Sequence, residues 1–218
     1  MTKAEQATIA ETTGRVLHRA AGYDFLVWLV TRGRDRQMRE ALLTLARVAP
    51  GESVLDVGCG TGTLAMVAKE RVGSAGAVYG TDASPEMIAR ARKKATKAAA
   101  DVQFKIAPAE ALPFPDAQFD VVLSTLMLHH LPRKARQQSA SEMGRVLRPG
   151  GRLLAVDFGA PSHHARSVIG HFHRHGHITL DDILGLLTAG GFDVIENGPV
   201  GMHDLQFALA VRPTDPGD

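Results

Sequence analysis

The stretch that decides the fold runs from Val54 to Gly62 and reads Val-Leu-Asp-Val-Gly-Cys-Gly-Thr-Gly. An apolar run stops abruptly in alternating glycines, and Leu64, Val67 and Ala68 then recur at helical spacing. That pattern predicts a buried strand, a glycine loop and a helix in succession. Glycines lack a Cβ, so a ligand can approach the loop closely, while the N–H groups at the start of the helix point toward it. Such a unit is typical of nucleotide-binding α/β proteins.

Asp56 makes this loop more specific than its glycines alone do. The glycines are spaced G-x-G-x-G, at Gly58, Gly60 and Gly62, whereas the dinucleotide fingerprint is G-x-G-x-x-G. Asp56 lies two residues before the first glycine, at the carboxyl end of the predicted strand. A carboxylate there would attract a cationic amine and would repel a pyrophosphate. The stretch therefore favours a cofactor with a positively charged amino group over a dinucleotide.

The segment from Leu55 to Gly62 resembles the first motif of the class I S-adenosylmethionine-dependent methyltransferases. In that family the loop wraps the amino-acid end of the cofactor, so the resemblance implies S-adenosylmethionine as the cofactor. It also implies that the cofactor contacts Asp56, Gly58, Cys59 and Gly60. The alternative is an ordinary αβ turn whose glycines bind nothing.

The segment that precedes this strand adds to the resemblance. The Tyr23-Asp24 pair, the Gly33-x-Asp35-Arg36 element and a predicted helix from about Asp35 to Val48 resemble the lead-in of methyltransferases related to ubiquinone and menaquinone biosynthesis enzymes. In such proteins an aromatic N-terminal segment folds over the mouth of the cofactor site, which implies a cofactor contact for Tyr23. The alternative for Tyr23 is a core aromatic residue whose hydroxyl reaches the surface.

A second carboxylate, Asp82, ends the next predicted strand, which begins at Ala77. The run Ser84-Pro85-Glu86 then predicts the start of a helix, with a serine cap, a proline in the first position and an acid in the first turn. A carboxylate at the end of a strand can accept hydrogen bonds from both hydroxyls of a ribose. The resemblance adds the neighbouring Ala83 to the cofactor site. The alternative for Asp82 is a turn or capping role.

The adenine side of the site is where the sequence departs from the family. Residues Val102 to Ile106 are predicted as the third strand, and the loop after it resembles the loop in which an acidic residue commonly holds the exocyclic amine of adenine. Pro108 stands at that place here. The contact is then expected from the main chain of Ala109 or from Glu110. Ser124, at the end of the predicted fourth strand, completes the cofactor residues that the resemblance implies.

The alternation of predicted strands and helices indicates an α/β fold, with an open, mostly parallel, doubly wound sheet and helices on both faces. The resemblance, and not the periodicity, implies seven strands in the order 3-2-1-4-5-7-6 with the last strand antiparallel, the Rossmann-like fold of methyltransferases. Leu147-Arg148-Pro149-Gly150-Gly151 is expected to turn sharply into the fifth strand, and Thr179 to cap the last helix. The whole chain, 1–218, is expected to be one methyltransferase domain, with 1–48 as an N-terminal helical lead-in.

Composition excludes several classes of protein. A net charge of +2 in 218 residues does not indicate a nucleic-acid-binding surface. The single cysteine, Cys59, excludes a disulfide within the chain and favours a reducing, cytoplasmic location. Residues 1–10 lack an apolar signal core, and the early apolar run from Phe25 to Val30 is too short to cross a bilayer. A soluble protein without an integral membrane segment is expected.

Two groups of histidines are candidates for the chemistry. His129 and His130 follow the fourth strand, beside the predicted cofactor cleft, and we expect His129 to contact the substrate, with a capping or packing role as the alternative. Six of the ten histidines lie between His163 and His177. This second group is interpreted as lining for the acceptor site or as an exposed polar loop. Metal binding by the alternating histidines from His171 to His177 is the third interpretation, and it is disfavoured because no carboxylate or thiol is interleaved to complete a ligand set. No metal is therefore expected.

Absent signatures narrow the methyl acceptor. The fourth strand ends in Ser124-Thr125-Leu126-Met127 and not in the Asn/Asp-Pro-Pro-aromatic signature of enzymes that methylate exocyclic amines of bases. The only cysteine lies in the cofactor loop, so it cannot serve as the nucleophile of cytosine methylation. A small organic acceptor remains, with quinol-type C-methylation as the nearest resemblance and O- or N-methylation equally open.

Two alternatives to this enzyme are kept open. A non-catalytic protein that binds S-adenosylmethionine or a partner on the same fold would share these motifs, because a fold does not fix a function. A nicotinamide dehydrogenase is disfavoured by the position of Gly62 and by the Leu-x-Pro-Gly-Gly turn. The oligomeric state is left open, with a homodimer as one option.

Overall fold

The computed structural model describes residues 35–159, 178–201 and 204–214. The helices are α1 (Asp35–Leu45), α2 (Thr63–Val72), α3 (Pro85–Lys97), α4 (Arg133–Val146) and α5 (Leu180–Ala189), with a short 3-10 helix at Leu128–His130. The strands are β1 (Ser53–Val57), β2 (Ala77–Asp82), β3 (Gln103–Ile106), β4 (Phe119–Thr125), β5 (Leu147–Phe158), β6 (Asp193–Pro199) and β7 (Leu205–Val211).

The strands form one sheet in the order β3-β2-β1-β4-β5-β7-β6. The pairs from β3 to β5 are parallel, and β7 runs antiparallel to both of its neighbours. The predicted α/β fold class and strand order are therefore confirmed. The carboxyl ends of β1, β2, β4 and β5 meet at one edge, which is where ligands bind in sheets of this kind.

The sheet is buried on both faces. Successive residues of β1 belong to different apolar layers, because strand side chains alternate: Val54 packs with α1, α2 and α3, and Leu55 packs with α4 and α5. Both residues are fully buried. A strand covered on both faces is expected to be apolar throughout. Burial of Asp56, the one charged residue in β1, costs free energy that the fold alone does not require.

The ends of two helices follow the sequence signals. The hydroxyl of Ser84 accepts a hydrogen bond from the N–H of Met87 at 3.2 Å, and Pro85 is the first residue of α3, as predicted. Thr179 and Asp182 form a reciprocal capping box at the start of α5. These caps satisfy N–H groups that have no partner within the helix, and they fix where each helix begins.

Two predicted boundaries are wrong. The first helix ends at Leu45 and not near Val48, because Arg47 adopts a left-handed φ of 54° that stops the helix. The fifth strand begins at Leu147, before the glycine pair: Leu147 pairs with Phe119, and the register then shifts before Arg152 pairs with Val121. The Leu-x-Pro-Gly-Gly segment is thus an irregular part of the strand as well as a turn into it.

Candidate active site

The loop between β1 and α2 has the backbone that its glycines predicted. Gly58 and Gly62 have φ values of +72° and +76°, in the region that side chains rarely adopt. A Cβ on Gly58 would lie 2.5 Å from Cγ of Met127, and a Cβ on Gly62 would lie 2.5 Å from the ring of Phe104. Both positions therefore need glycine for two independent reasons, the dihedral angle and the close approach of a side chain.

Asp56 lies at the end of β1 with 2% of its surface exposed. Its carboxylate accepts a hydrogen bond from the N–H of Ala65 in the first turn of α2, whereas Oδ2 has no partner. Burial is the main cause that raises the pKa of Asp56 to about 7; nearby Arg39 lowers this pKa and the carboxylate of Asp82 raises it further. A buried carboxylate with one bonded and one free oxygen can cap α2 and still accept a hydrogen bond from a ligand.

Asp82 joins the glycine loop to the second strand. Its Oδ2 accepts a hydrogen bond of 2.9 Å from the N–H of Gly60, and its Oδ1 accepts one of 2.8 Å from the N–H of Ser84. Burial raises the pKa of Asp82, while these two bonds act in the opposite direction. The side chain is only partly buried, so its remaining lone pairs are accessible to ribose hydroxyls.

Further buried oxygens at this edge lack partners. In the register of the sheet, Val57 pairs with Thr81 on one side and with Ser124 on the other. The hydroxyls of Thr81 and Ser124 are buried and make no hydrogen bond, like Oδ2 of Asp56. Buried polar atoms are rarely left unpaired in folded proteins, so partnerless oxygens at the ends of three neighbouring strands indicate a place for a ligand.

The other predicted cofactor residues that the structure describes follow the carboxyl ends of β1, β2 and β3. Cys59 belongs to the loop, where its N–H donates to the carbonyl of Thr81 at 2.8 Å. Burial is the main cause that raises the pKa of its thiol, which makes the thiol a poor nucleophile. The segment after β3 begins beside Asp82, whose carbonyl accepts from the N–H of Ala107, and continues through Ala109, which is buried, to Glu110, which is half-buried. Ala83 follows Asp82 directly and is half-buried.

His129 lies in the short helix after β4 and contacts Asp157 at the carboxyl end of β5. Its Nδ1 is 2.7 Å from Oδ1 of Asp157, and its main-chain N–H donates to Oδ2 at 3.1 Å. Asp157 is completely buried, whereas the side chain of His129 keeps 12% exposure. The structure thus brings His129 to the edge of the sheet where Asp56 and Asp82 also end.

Sequence reasoning missed three residues of this region. Arg39 of α1 lies close enough to Asp56 to lower its pKa, Met127 covers Gly58, and Asp157 holds His129. The position of Asp157 at the carboxyl end of a predicted strand was a signal that could have identified it. Arg39 and Met127 had no such signal, because their roles depend on tertiary contacts.

Two predicted parts of the site lie outside the described residues. They are Tyr23 and the histidine group from His163 to His177. Within residues 35–159, 178–201 and 204–214 no cluster of three or more side chains has the arrangement of a metal site. In the same ranges no helix combines the length and the apolar character that crossing a bilayer requires.

The described residues fit the cofactor that the sequence resemblance implies. The amino-acid end of S-adenosylmethionine carries an ammonium group, which would give Oδ2 of Asp56 the hydrogen bond that it lacks. The loop at Gly58 packs directly against Met127, and this contact fixes the loop backbone at the carboxyl edge of the sheet. Asp82 provides a second carboxylate at the end of β2, the strand that pairs with β1.

Known sequences match this chain over part of its length. A family model described as "Methyltransferase domain" matches residues 54–151. A ubiquinone/menaquinone biosynthesis C-methyltransferase UbiE of Laribacter hongkongensis is 39% identical over 150 residues, which are 68% of this chain and 61% of the relative. The chain spans about three fifths of the length of the curated relatives that it matches.

Solved structures share the fold. A S-adenosylmethionine-dependent methyltransferase from Aquifex aeolicus superposes with a TM-score of 0.70 at 23% identity, over 80% of this chain and 89% of that one. The [4+2]-cyclase SpnF superposes with a TM-score of 0.73 at 17% identity, over 94% of this chain and all of that one. At these identities the likeness concerns the fold alone, and the second structure is named for a different reaction.

Proposed function

Because this chain belongs to the class I S-adenosylmethionine-dependent methyltransferases, in the group related to ubiquinone and menaquinone biosynthesis enzymes, we propose that it transfers a methyl group from S-adenosylmethionine to a small-molecule acceptor. The observation that carries the proposal is Asp56. A buried carboxylate with a partnerless oxygen, at the end of a strand and beneath a glycine loop, is costly unless a hydrogen-bond donor such as an ammonium group reaches that oxygen.

Each cofactor residue has a proposed part. Asp56 binds the ammonium group, and the loop from Gly58 through Cys59 to Gly60 lies against the amino-acid chain. Asp82 accepts hydrogen bonds from the ribose hydroxyls. The main chains of Ala83 and Ala109, together with the side chains of Glu110 and Ser124, surround the adenosine part, and Tyr23 covers the mouth of the site. These parts are supported by the positions of the described residues at one edge of the sheet.

Methyl transfer requires mainly that the protein aligns the acceptor with the methyl group. When bound, S-adenosylmethionine supplies an electrophilic methyl group on a positively charged sulfur. The protein then has to hold the acceptor in line with that group and exclude water. The ends of β1, β2 and β4 suit this task, because apolar layers cover both faces of the sheet behind them. We propose His129 as the residue that contacts the acceptor.

The acceptor itself is proposed only by class. The name of the relative from Laribacter hongkongensis describes C-methylation in quinone biosynthesis, so quinols and related phenols are the first acceptors to test. Other hydroxyl acceptors and amine acceptors are tested next, because this chain matches only part of that relative. The alternative is a protein that binds S-adenosylmethionine without turnover, and the likeness to a cyclase keeps a different reaction on the same fold under test.

Isothermal titration tests the cofactor first. The purified chain is titrated with S-adenosylmethionine, with S-adenosylhomocysteine and with NAD as the control. Binding of the first two ligands and not of NAD is expected. The acceptor panel is then assayed by release of S-adenosylhomocysteine. Absence of binding would overturn the proposal, and binding without turnover on the panel would favour the non-catalytic alternative.

Organisation and location are also proposals. We propose one domain in a cytoplasmic protein, on the grounds of the continuous sheet and the single cysteine in the cofactor loop. Limited proteolysis that cuts the chain into two stable pieces would contradict a single domain. Light scattering would show whether the protein is a homodimer.

A further inference from the structure

Asp157 is a buried carboxylate that the proposed binding of the cofactor does not use. It is the residue before the last one of β5 and has no exposed surface. Three donors meet it: the N–H of Phe158 and Nδ1 of His129 at Oδ1, at 2.8 and 2.7 Å, and the N–H of His129 at Oδ2, at 3.1 Å. These three hydrogen bonds hold the carboxylate rigidly, because two come from main-chain N–H groups and one comes from the ring of His129.

This contact fixes which ring nitrogen of His129 carries a proton. Both oxygens of Asp157 already accept hydrogen bonds from main-chain N–H groups, so the carboxylate acts as an acceptor here and Nδ1 is the donor at 2.7 Å. In the neutral imidazole the proton then lies on Nδ1, and Nε2 keeps a lone pair. The side chain of a buried acid thereby selects the tautomer in which the far nitrogen can accept a proton.

The ring nitrogen Nε2 takes no part in this contact. Nε2 of His129 has no hydrogen-bond partner among the described residues, and it is not one of the buried polar atoms without a partner. The side chain as a whole keeps 12% exposure. The rings of His130 and Phe158 lie with centroids 3.9 and 5.4 Å from the ring of His129, which restricts its rotation.

The backbone that places this ring is strained at one position. Leu126, between β4 and the short helix, has a left-handed φ of 55°, which costs a leucine about 1 kcal/mol or more. Its N–H donates to the carbonyl of Val156, the residue before Asp157. This hydrogen bond joins the residue after β4 to the end of β5, and it thereby brings His129 close to Asp157.

We propose that Asp157 is a positioning residue that holds His129 as a general base, which removes the proton from the phenolic hydroxyl of the acceptor class proposed above. The inference rests on the proposed methyl transfer. A hydroxyl of this kind has a pKa near 10, like that of tyrosine, so few molecules are ionised at neutral pH. A base at the site supplies the ionised form only where it is needed, and such assistance is worth about 100- to 10,000-fold in rate.

The proton and electron balance is complete without another reactant. The O–H bond of the acceptor breaks, the proton passes to Nε2, and the electron pair left on oxygen forms the bond to the methyl carbon. The bond between sulfur and the methyl carbon breaks, and its electron pair stays on the sulfur. The imidazolium later releases the proton to water. If the pair moves through the ring so that a carbon is methylated, that carbon loses its own proton and the hydroxyl regains one, which gives the same balance.

A purely structural role for Asp157 makes a different prediction. As a clamp between β5 and the short helix, it would contribute stability, and an asparagine of the same shape would disturb cofactor binding and turnover together. As a positioning residue, it controls the tautomer and the turnover number while the cofactor affinity stays unchanged. The two roles therefore separate in measurements other than stability.

Nitrogen-15 NMR of histidine-labelled protein is the decisive experiment, because it needs no acceptor. At about pH 8, where an ordinary histidine is neutral, we expect wild-type His129 to carry its proton on Nδ1, and Asp157→Asn to shift it toward Nε2. Asp120→Asn is the matched control: Asp120 belongs to β4 but pairs with Arg148 at the other edge of the sheet. It is expected to leave the tautomer unchanged.

Kinetics and titration complete the test. We expect Asp157→Asn to lower kcat on a phenolic acceptor by about 100-fold or more, with KM and the affinity for S-adenosylmethionine within about twofold of wild type. A wild-type His129 protonated on Nε2, or an unchanged kcat in Asp157→Asn, would overturn the proposal. Failure of the proposed function is a separate outcome, because it would appear as absence of cofactor binding in the wild type while the tautomer is still measured.

Discussion

The N–H of Gly60 donates a hydrogen bond of 2.9 Å to Oδ2 of Asp82, which connects the glycine loop after β1 to the carboxyl end of β2. The second oxygen of the same carboxylate holds the N–H of Ser84, the residue that caps α3. The acid that is proposed to bind the ribose is therefore oriented by the protein before any ligand arrives. Preorganisation of this kind lowers the entropy that binding must overcome.

Replacement of Asp82 by alanine tests this arrangement. We expect Asp82→Ala to weaken binding of S-adenosylmethionine by roughly 1.5 to 3 kcal/mol, because it removes hydrogen bonds to a charged acceptor and releases the loop. Isothermal titration measures the change. Asp193→Ala, an exposed acid at the start of the edge strand β6, is the control and should bind normally. Equal affinity of Asp82→Ala and wild type would remove Asp82 from the cofactor site.

Local signals predicted the elements that local chemistry controls. The strand, loop and helix around Gly58 follow from an apolar run, the glycines and helical spacing, and Thr179 was predicted to cap the last helix, which it does. The order of the strands is different, because no periodicity tells which strands become neighbours. That order came from the family resemblance, and the sheet confirms it.

The site divides in the same way. Asp56 and Asp82 could be selected from the sequence because each ends a predicted strand, where ligands bind in such sheets. The contact between His129 and Asp157 joins residues 28 positions apart, and it depends on the register that pairs Thr125 with Val156. Sequence patterns specify neither that register nor which of two adjacent histidines faces a carboxylate.

Gly58→Ala should cost more stability than a matched glycine replacement. Gly51 also has a positive φ, +84°, but a Cβ there would meet nothing within 4 Å, so Gly51→Ala suffers only the dihedral strain of about 1 to 2 kcal/mol. At Gly58 the new methyl would also collide with Met127, which adds roughly 1 to 3 kcal/mol. Urea unfolding of both variants measures the difference. Equal losses of unfolding free energy would show that Met127 moves away freely.

Ala99→Gly should stabilise the protein. The N–H of Ala100 donates to the carbonyl of Ala95 and that of Ala99 to the carbonyl of Thr96, which is the pattern that usually ends a helix at a left-handed glycine. Here an exposed alanine with a φ of 50° takes that position after α3. Glycine would remove about 1 kcal/mol of strain. The control is Ala98→Gly, where φ is −89° and no gain is expected. A lower melting temperature for Ala99→Gly than for wild type would contradict this account.

The raised pKa of Asp56 should make stability depend on pH. Its pKa is about 7 in the folded chain, compared with an ordinary value of 3.8. Between these values the folded chain holds a proton that the unfolded chain has lost, so this contribution to stability is complete below about pH 4 and is lost as the pH rises through 7. Asp56→Asn cannot titrate. We therefore expect the unfolding free energy of Asp56→Asn, relative to that of wild type, to increase between about pH 5 and 8. The same pH dependence for both proteins in urea unfolding would refute the raised pKa.

Cofactor binding should show the opposite dependence. The ammonium group of S-adenosylmethionine favours the ionised form of Asp56, so binding below about pH 7 has to release the proton that burial retains. We expect the affinity to fall as the pH decreases from 8 to 5.5, by at most about tenfold per pH unit, and to be weaker and nearly flat in Asp56→Asn. Titration in two buffers of different ionisation enthalpy counts the released proton. Methylthioadenosine, which lacks the amino-acid end, is the matched ligand and should bind independently of pH. If it shows the same dependence as S-adenosylmethionine, a group other than Asp56 releases the proton.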